Sequence, residues 1–229
     1  MLFRIPDQHV FPDPSLSEPS GLLGVGGDLS VPRLLLAYRQ GIFPWYSDGQ
    51  PILWWSPDPR MVLRTDSLKV PRSLGKRIRQ QRYRVTMDQA FSQVIRNCKS
   101  ADRPGQAGTW LTQAMLDGYD ALHAAGHAHS VEAWDADGSL VGGLYGVAIG
   151  QLYCGESMFA HAPDASKVAF VHLVRQLHQW GFPIVDCQVY TDHLDRFGAT
   201  EVPRQEYLRT IQPLVAAPGK TGTWAFDAG

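Results

Sequence analysis

The stretch Leu140–Phe159, LVGGLYGVAIGQLYCGESMF, constrains the fold of this chain most. Two β-rich runs, Val141–Ile149 and Gln151–Phe159, are hinged at Gly150, and five glycines interrupt them. Glycine in a strand interior marks a bend or a place where another group approaches the backbone. A single charge, Glu156, sits in the second run among Tyr153, Met158 and Phe159. A carboxylate in an apolar strand costs several kcal/mol, by order of magnitude, unless it is paired or used. The run Ile184-Val185-Asp186-Cys187-Gln188-Val189 repeats the pattern. These two strands are expected to form the floor of an active site.

The surrounding chain supplies helices and short strands. Ser30 is placed as an N-cap with Pro32 in the first turn, and Leu34, Leu35 and Tyr38 share a face before Gly41 ends the helix. The glycine-rich stretch Gly21–Leu29 lacks a following Lys-Ser/Thr pair and is read as a structural turn, not a phosphate cradle. Gly41–Ser47 and Pro51–Arg60 are dense in tryptophan and proline and are expected to form a rigid aromatic surface without regular structure. Trp45, in a loop between prolines, is a candidate to stack on a base. Thr86 or Asp88 is expected to cap a helix carrying Phe91, Val94, Ile95 and Cys98. Asp164 is expected to cap the helix Ala165–Trp180, and Ala216–Gly229 reads as a loose tail. The sum is an α+β chain with a mainly antiparallel sheet and a small N-terminal domain at 1–64, followed by a main domain at 65–229.

Composition excludes several classes. With 229 residues, 44% hydrophobic, and a net charge of -1, the chain is globular and not basic overall. Yet seven of its 21 Lys and Arg fall between Lys69 and Arg84 with no acid among them. Arg72, Lys76, Arg77, Arg79 and Arg82 thus form a candidate phosphate-binding ridge. Cys98, Cys154 and Cys187 have no paired spacing and are read as reduced packing residues. His123, His127 and His129 lack a carboxylate partner and a common helical face, so no metal site is expected. No secretory signal or membrane-spanning run is expected either.

Particular strings carry a resemblance. FPDP (Phe11–Pro14), GLLGVGGDL (Gly21–Leu29), GIFPWYSDGQPILWWSPDPRMVL (Gly41–Leu63), GTW (Gly108–Trp110), HAHSVEAW (His127–Trp134), Leu140–Phe159, ASK (Ala165–Lys167) and DCQV (Asp186–Val189) are similar to the leucyl/phenylalanyl-tRNA–protein transferases. His161, Asp164 and Tyr153 depart from the pattern, where Arg, Asn and Phe are frequent.

The resemblance implies a small N-terminal domain and a GNAT-like acyltransferase domain. It implies transfer of Leu or Phe, and less efficiently Met, from aminoacyl-tRNA to proteins that begin with Arg or Lys, in the N-end rule pathway. A cytoplasmic monomer without cofactor, metal or membrane is implied as well. Trp45 and Trp110 become stacking walls for the terminal adenosine, and Leu144, Tyr153, Met158, Phe170 and Val185 candidates for the side-chain pocket. Asp186 is expected to accept the amine proton, hold the ammonium, or act through its charge alone, with Gln188 fixing geometry and Glu156 helping to place the amine. A CoA-dependent acetyltransferase is disfavoured because His161–Ser166 has no glycine for a pyrophosphate loop. A non-catalytic RNA-binding module leaves both strand carboxylates unexplained.

Overall fold

A computed structural model describes residues 2–101 and 111–227. The chain begins with a four-stranded sheet ordered β1-β2-β4-β3, made of β1 (Phe3–Ile5), β2 (Leu22–Gly26), β3 (Phe43–Pro44) and β4 (Leu53–Trp55). Helix α1 (Val31–Arg39) lies between β2 and β3 in sequence. The glycine-rich stretch is therefore a strand and not a turn. At Gly24 the strands lie close: a Cβ would stand 2.5 Å from the end of the Ile5 side chain and 3.1 Å from the Phe3 carbonyl. The tryptophan-rich span likewise supplies β3 and β4. Trp54 is fully buried and donates from Nε1 to the Gly26 carbonyl at 2.8 Å. Arg33 is also sealed, and its guanidinium bonds Asp28 and the carbonyls of Pro6, Asp7 and Gln8, which ties the N-terminal arm down.

The larger sheet has seven strands in the order β11-β5-β10-β9-β8-β7-β6. They are β5 (Arg60–Arg64), β6 (Arg84–Met87), β7 (Ala128–Trp134), β8 (Leu140–Ile149), β9 (Leu152–Ala160), β10 (Ile184–Gln188) and β11 (Thr200–Val202). All neighbours pair antiparallel except β9 and β10, which are parallel. The expected break after residue 64 thus falls behind a strand that belongs to this sheet. Helices α3 (Phe91–Ser100) and α4 (Gln113–Ala124) cover one face. Helices α2 (Arg72–Arg79) and α5 (Ala165–Gln179) cover the other, and α6 (Asp192–Asp195) and α7 (Arg204–Ala216) complete the chain. Tyr145, Val147 and Cys154 face a core shared with the N-terminal sheet, while Leu144, Tyr153 and Val185 face α5.

Three local expectations change. Thr86 lies in β6, and its hydroxyl donates to Glu132 at 2.5 Å. The start of α3 is instead served by Glu132, whose Oε1 accepts from the Ala90 amide at 3.4 Å. Asp164 makes no capping bond; it takes a left-handed backbone, φ +64°, and binds Lys167 at 2.8 Å and Arg77 at 2.9 Å. The expected loose tail is anchored at one buried residue: α7 runs on through Ala216, and Trp224 is 1% exposed while residues 218–223 are exposed.

Close approach is severe at Gly146, where a Cβ would stand 2.2 Å from the Cys154 carbonyl and 2.7 Å from the Tyr153 ring. Gly146→Ala should cost about 1–3 kcal/mol of stability as the hairpin shifts to relieve the overlap. Urea unfolding monitored by circular dichroism measures the loss.

Candidate active site

The site is cut by two strands that part. Strand β10 pairs with β9 only from Ile184 to Asp186, against Leu152 to Cys154. Beyond that point β9 continues to Ala160, while β10 turns away at Gln188, whose φ is +64°. A cavity of about 570 Å³ fills the opening.

A bulge in β9 decides what faces it. Tyr145 pairs with Ser157 and Gly146 with Gly155, so Glu156 is the extra, unopposed residue. A bulge adds one residue to a strand and re-aims its side chains. Tyr153 and Met158 are five apart and would otherwise point to opposite faces. The bulge lets both line the cavity, alongside Leu144, Phe170 and Val185. All five candidates for the side-chain pocket thus line one cavity, where only some of them were expected. Gln188 and Glu156 line the same cavity.

Glu156 is held by hydrogen bonds. Its Oε1 accepts from the Tyr38 hydroxyl at 2.8 Å and from Gln188 Nε2 at 2.9 Å, and its Oε2 accepts from the Tyr119 hydroxyl at 2.7 Å. The two phenols also touch at 2.8 Å. Burial pushes the Glu156 carboxyl up to about 7, against the pull of its three donors and with the help of the nearby Asp186 charge. Each carboxylate oxygen can accept two bonds, so Oε2 keeps capacity for another proton donor.

Asp186 lies beneath the site and is not in the cavity lining. It is fully buried in a fork with Arg60, from Nε to Oδ1 at 2.8 Å and from Nη2 to Oδ2 at 2.6 Å. The Tyr207 hydroxyl gives Oδ2 a further bond at 2.7 Å, and the Gln188 amide gives Oδ1 one at 2.9 Å. Burial works to raise its pKa, but the Arg60 guanidinium prevails and holds the carboxyl below the ordinary carboxylate range. With four donors on two oxygens, its acceptor capacity is taken up.

Trp45 stands at the rim, 37% exposed, its ring 5.7 Å from that of Trp55. Trp110 lies outside the described residues. The basic ridge is mostly helix α2: Leu74 is buried toward α5, while Arg72, Lys76 and Arg79 are exposed, as is Arg82 just beyond. Arg77 differs, being engaged with Asp164. Among the described residues no group of His, Cys, Asp and Glu is arranged to hold a metal, and no helix is long and apolar enough to cross a membrane. His129 is instead bonded through Nδ1 to Asp88 at 2.8 Å.

Sequence reasoning missed Tyr38, Tyr119, Arg60, Tyr207 and the lining residues Tyr190 and His193. The two tyrosines at Glu156 come from helices α1 and α4, where they have the spacing of core residues. A helical face with a lone tyrosine facing a lone strand carboxylate was the available signal.

Residues 62–212 match the family described as leucyl/phenylalanyl-tRNA protein transferase, and residues 27–58 match its N-terminal domain. Among relatives named leucyl/phenylalanyl-tRNA–protein transferase, one from Anaeromyxobacter dehalogenans (strain 2CP-C) is 56% identical, over 99% of this chain and 97% of its own length. One from Solidesulfovibrio magneticus is 55% identical, over 97% of this chain and 90% of its own. One from Myxococcus xanthus (strain DK1622) is 52% identical, over 99% and 97%.

The raised Glu156 carboxyl has a signed consequence for stability. In the unfolded chain it loses its proton near 4.5, and in the fold only near 7. Between those values the folded state binds more protons, so the contribution is full below about 4.5 and is lost as pH rises through about 7. Glu156→Gln should remove that part of the pH dependence. Urea titrations of both proteins across this window provide the measurement; an unchanged slope would contradict the assignment.

Proposed function

Since this chain belongs to the leucyl/phenylalanyl-tRNA–protein transferase family and is an aminoacyl-tRNA-dependent aminoacyltransferase, we propose that the cavity between β9 and β10 receives the leucyl or phenylalanyl end of the donor. The acceptor is the α-amine of a protein beginning with Arg or Lys. One observation carries this reading: a largely apolar chamber has the hydrogen-bonded pair Glu156–Gln188 in its lining. The chamber suits a Leu or Phe side chain. Met enters less efficiently, because apolar pockets separate near-isosteres by only about 1–3 kcal/mol. Trp45 stacks on the terminal adenosine, the role that the family resemblance also gives Trp110.

The amine nitrogen attacks the ester carbonyl carbon. A C–N bond forms, the C–O bond to the ribose 3′ oxygen breaks, the nitrogen gives up a proton and the ribose oxygen gains one. Gln188 donates its Nε2 hydrogen to Glu156, which leaves its Oε1 to accept from the amine and aim the lone pair. Glu156, with its carboxyl near 7 and a free acceptor position, takes the proton. An α-amine ionises near about 7.7–8.0, so the transfer is close to balanced. Asp186 then serves as a positioning residue: through Arg60, Tyr207 and the Gln188 amide it fixes the turn that carries Gln188. The already activated ester needs no cofactor, metal or ATP.

Arg72, Lys76, Arg79 and Arg82 grip the tRNA phosphates, and Arg77 supports them from its pair with Asp164. The parallel β9–β10 pair in an otherwise antiparallel sheet supports a GNAT-like main domain. A monomer acting in the cytoplasm, in the N-end rule pathway, completes the reading.

Incubation with Phe-tRNA and a peptide starting with Arg, without CoA, should yield a Phe-Arg product by mass spectrometry. No product from either Phe-tRNA or Leu-tRNA would overturn the reading. Reversing charge at Arg72 and Arg79 should weaken tRNA binding at low salt. The slope of log affinity against log salt should shrink by about 1 for each contact removed.

A further inference from the structure

Outside the cavity lining, the most elaborate construction without an assigned role is the segment after α7. Trp224 is 1% exposed, and its amide donates to Asp88 Oδ2 at 2.7 Å. Its ring stacks on His129, with centroids 3.7 Å apart and planes 4° from parallel. Asp88 takes a left-handed backbone, φ +53°, and its carboxylate also accepts from the Ser130 amide at 2.9 Å and from His129 Nδ1. Farther on, Asp227 accepts from Gln176 Nε2 at 2.7 Å and from Trp180 Nε1 at 2.8 Å. The segment is thus strapped at two points.

The inner side of Trp224 meets Tyr153, with ring centroids 6.0 Å apart and tilted by 34°. Tyr153 is also a wall of the cavity. Its hydroxyl lies 3.5 Å from the His129 carbonyl, at the edge of hydrogen-bond range, so it is weakly tethered. The hydroxyl end of the ring lies over Gly146, close enough that a Cβ there would stand 2.7 Å from it. From outside the cavity lining, Trp224 gives the Tyr153 ring an aromatic contact.

We infer that Trp224 is a positioning residue for donor selectivity, pressing the Tyr153 ring against the aminoacyl end of the cavity. This rests on the reading of that cavity as the aminoacyl pocket. Loss of the indole lets the ring swing outward and widens the pocket, which favours the broader phenyl side chain over the branched leucyl one.

The test is competition between Leu-tRNA and Phe-tRNA in one tube, with one Arg-initiated peptide. The product ratio does not depend on how much enzyme is folded, because both donors meet the same active fraction. For Trp224→Ala the ratio should move toward Phe by about tenfold, the discrimination that one methylene provides in an apolar pocket. Trp224→Phe, which keeps an aromatic backing and is the variant to use should Trp224→Ala fail to fold, should move it less and in the same direction. Phe182→Leu removes another ring that touches Trp224, edge-on at 5.9 Å, and should lower the melting temperature without moving the ratio. Ratios within about twofold of wild type for both Trp224 variants, a small change on the scale of pocket discrimination, would overturn the inference. If the wild type transfers neither donor, the reading of the cavity fails instead.

Discussion

The buried fork between Arg60 and Asp186 is the contact on which the site depends. It joins β5 to β10 across 126 residues of sequence, with both side chains sealed from water. Taking two charges out of water costs several kcal/mol each, and mutual attraction offsets that only with close geometry and further hydrogen bonds. Both conditions hold: the fork is two-pronged, and Tyr207 and the Gln188 amide take the remaining acceptor positions. Arg60 also lies against the rings of Phe43 and Tyr207, 4.9 and 4.6 Å from their centroids. Such an arrangement has little freedom to relax. It pins the last residues of β10 at the point where the strand leaves its neighbour, and so fixes where Gln188 begins.

The same charge shapes the chemistry above it. Asp186 keeps its negative charge because Arg60 is beside it, and that charge adds to burial, the larger cause, in raising the Glu156 carboxyl to about 7. Two buried carboxylates are thus set apart in pKa by their surroundings: the guanidinium holds Asp186 down, while burial outweighs the phenols and raises Glu156.

The hairpin Leu140–Phe159, the helix after it and the strand Ile184–Gln188 were legible because their patterns are local: glycine hinge, helical spacing, a charge in an apolar run. The odd spacing of Tyr153 and Met158 could be reconciled only by a bulge, which Gly155 hints at without fixing its position. Strands β5 and β6 were missed because they are short and carry Arg60, Arg64 and Arg84, which mask their alternation. The partner of Asp186 was not legible, for a physical reason. A strand carboxylate needs a partner or a task, and the partner lies in a strand that the sequence does not announce. Trp224 was invisible in a run of Gly, Ala, Thr and Pro that looks unstructured, since its anchors Asp88 and His129 are far away in sequence.

A pocket opened by the divergence of two backbones differs from one hollowed out of side chains. The width between β9 and β10 is set by the bulge at Glu156, the turn at Gln188 and the Arg60 fork, none of which contributes to the apolar lining. Leu144, Met158 and Phe170 can therefore be exchanged for residues of other sizes while the opening persists. Under the proposed reading of the cavity as the aminoacyl pocket, selection can retune which amino acid is carried without first rebuilding the scaffold, and drift in donor preference becomes an evolutionary path with few obstacles.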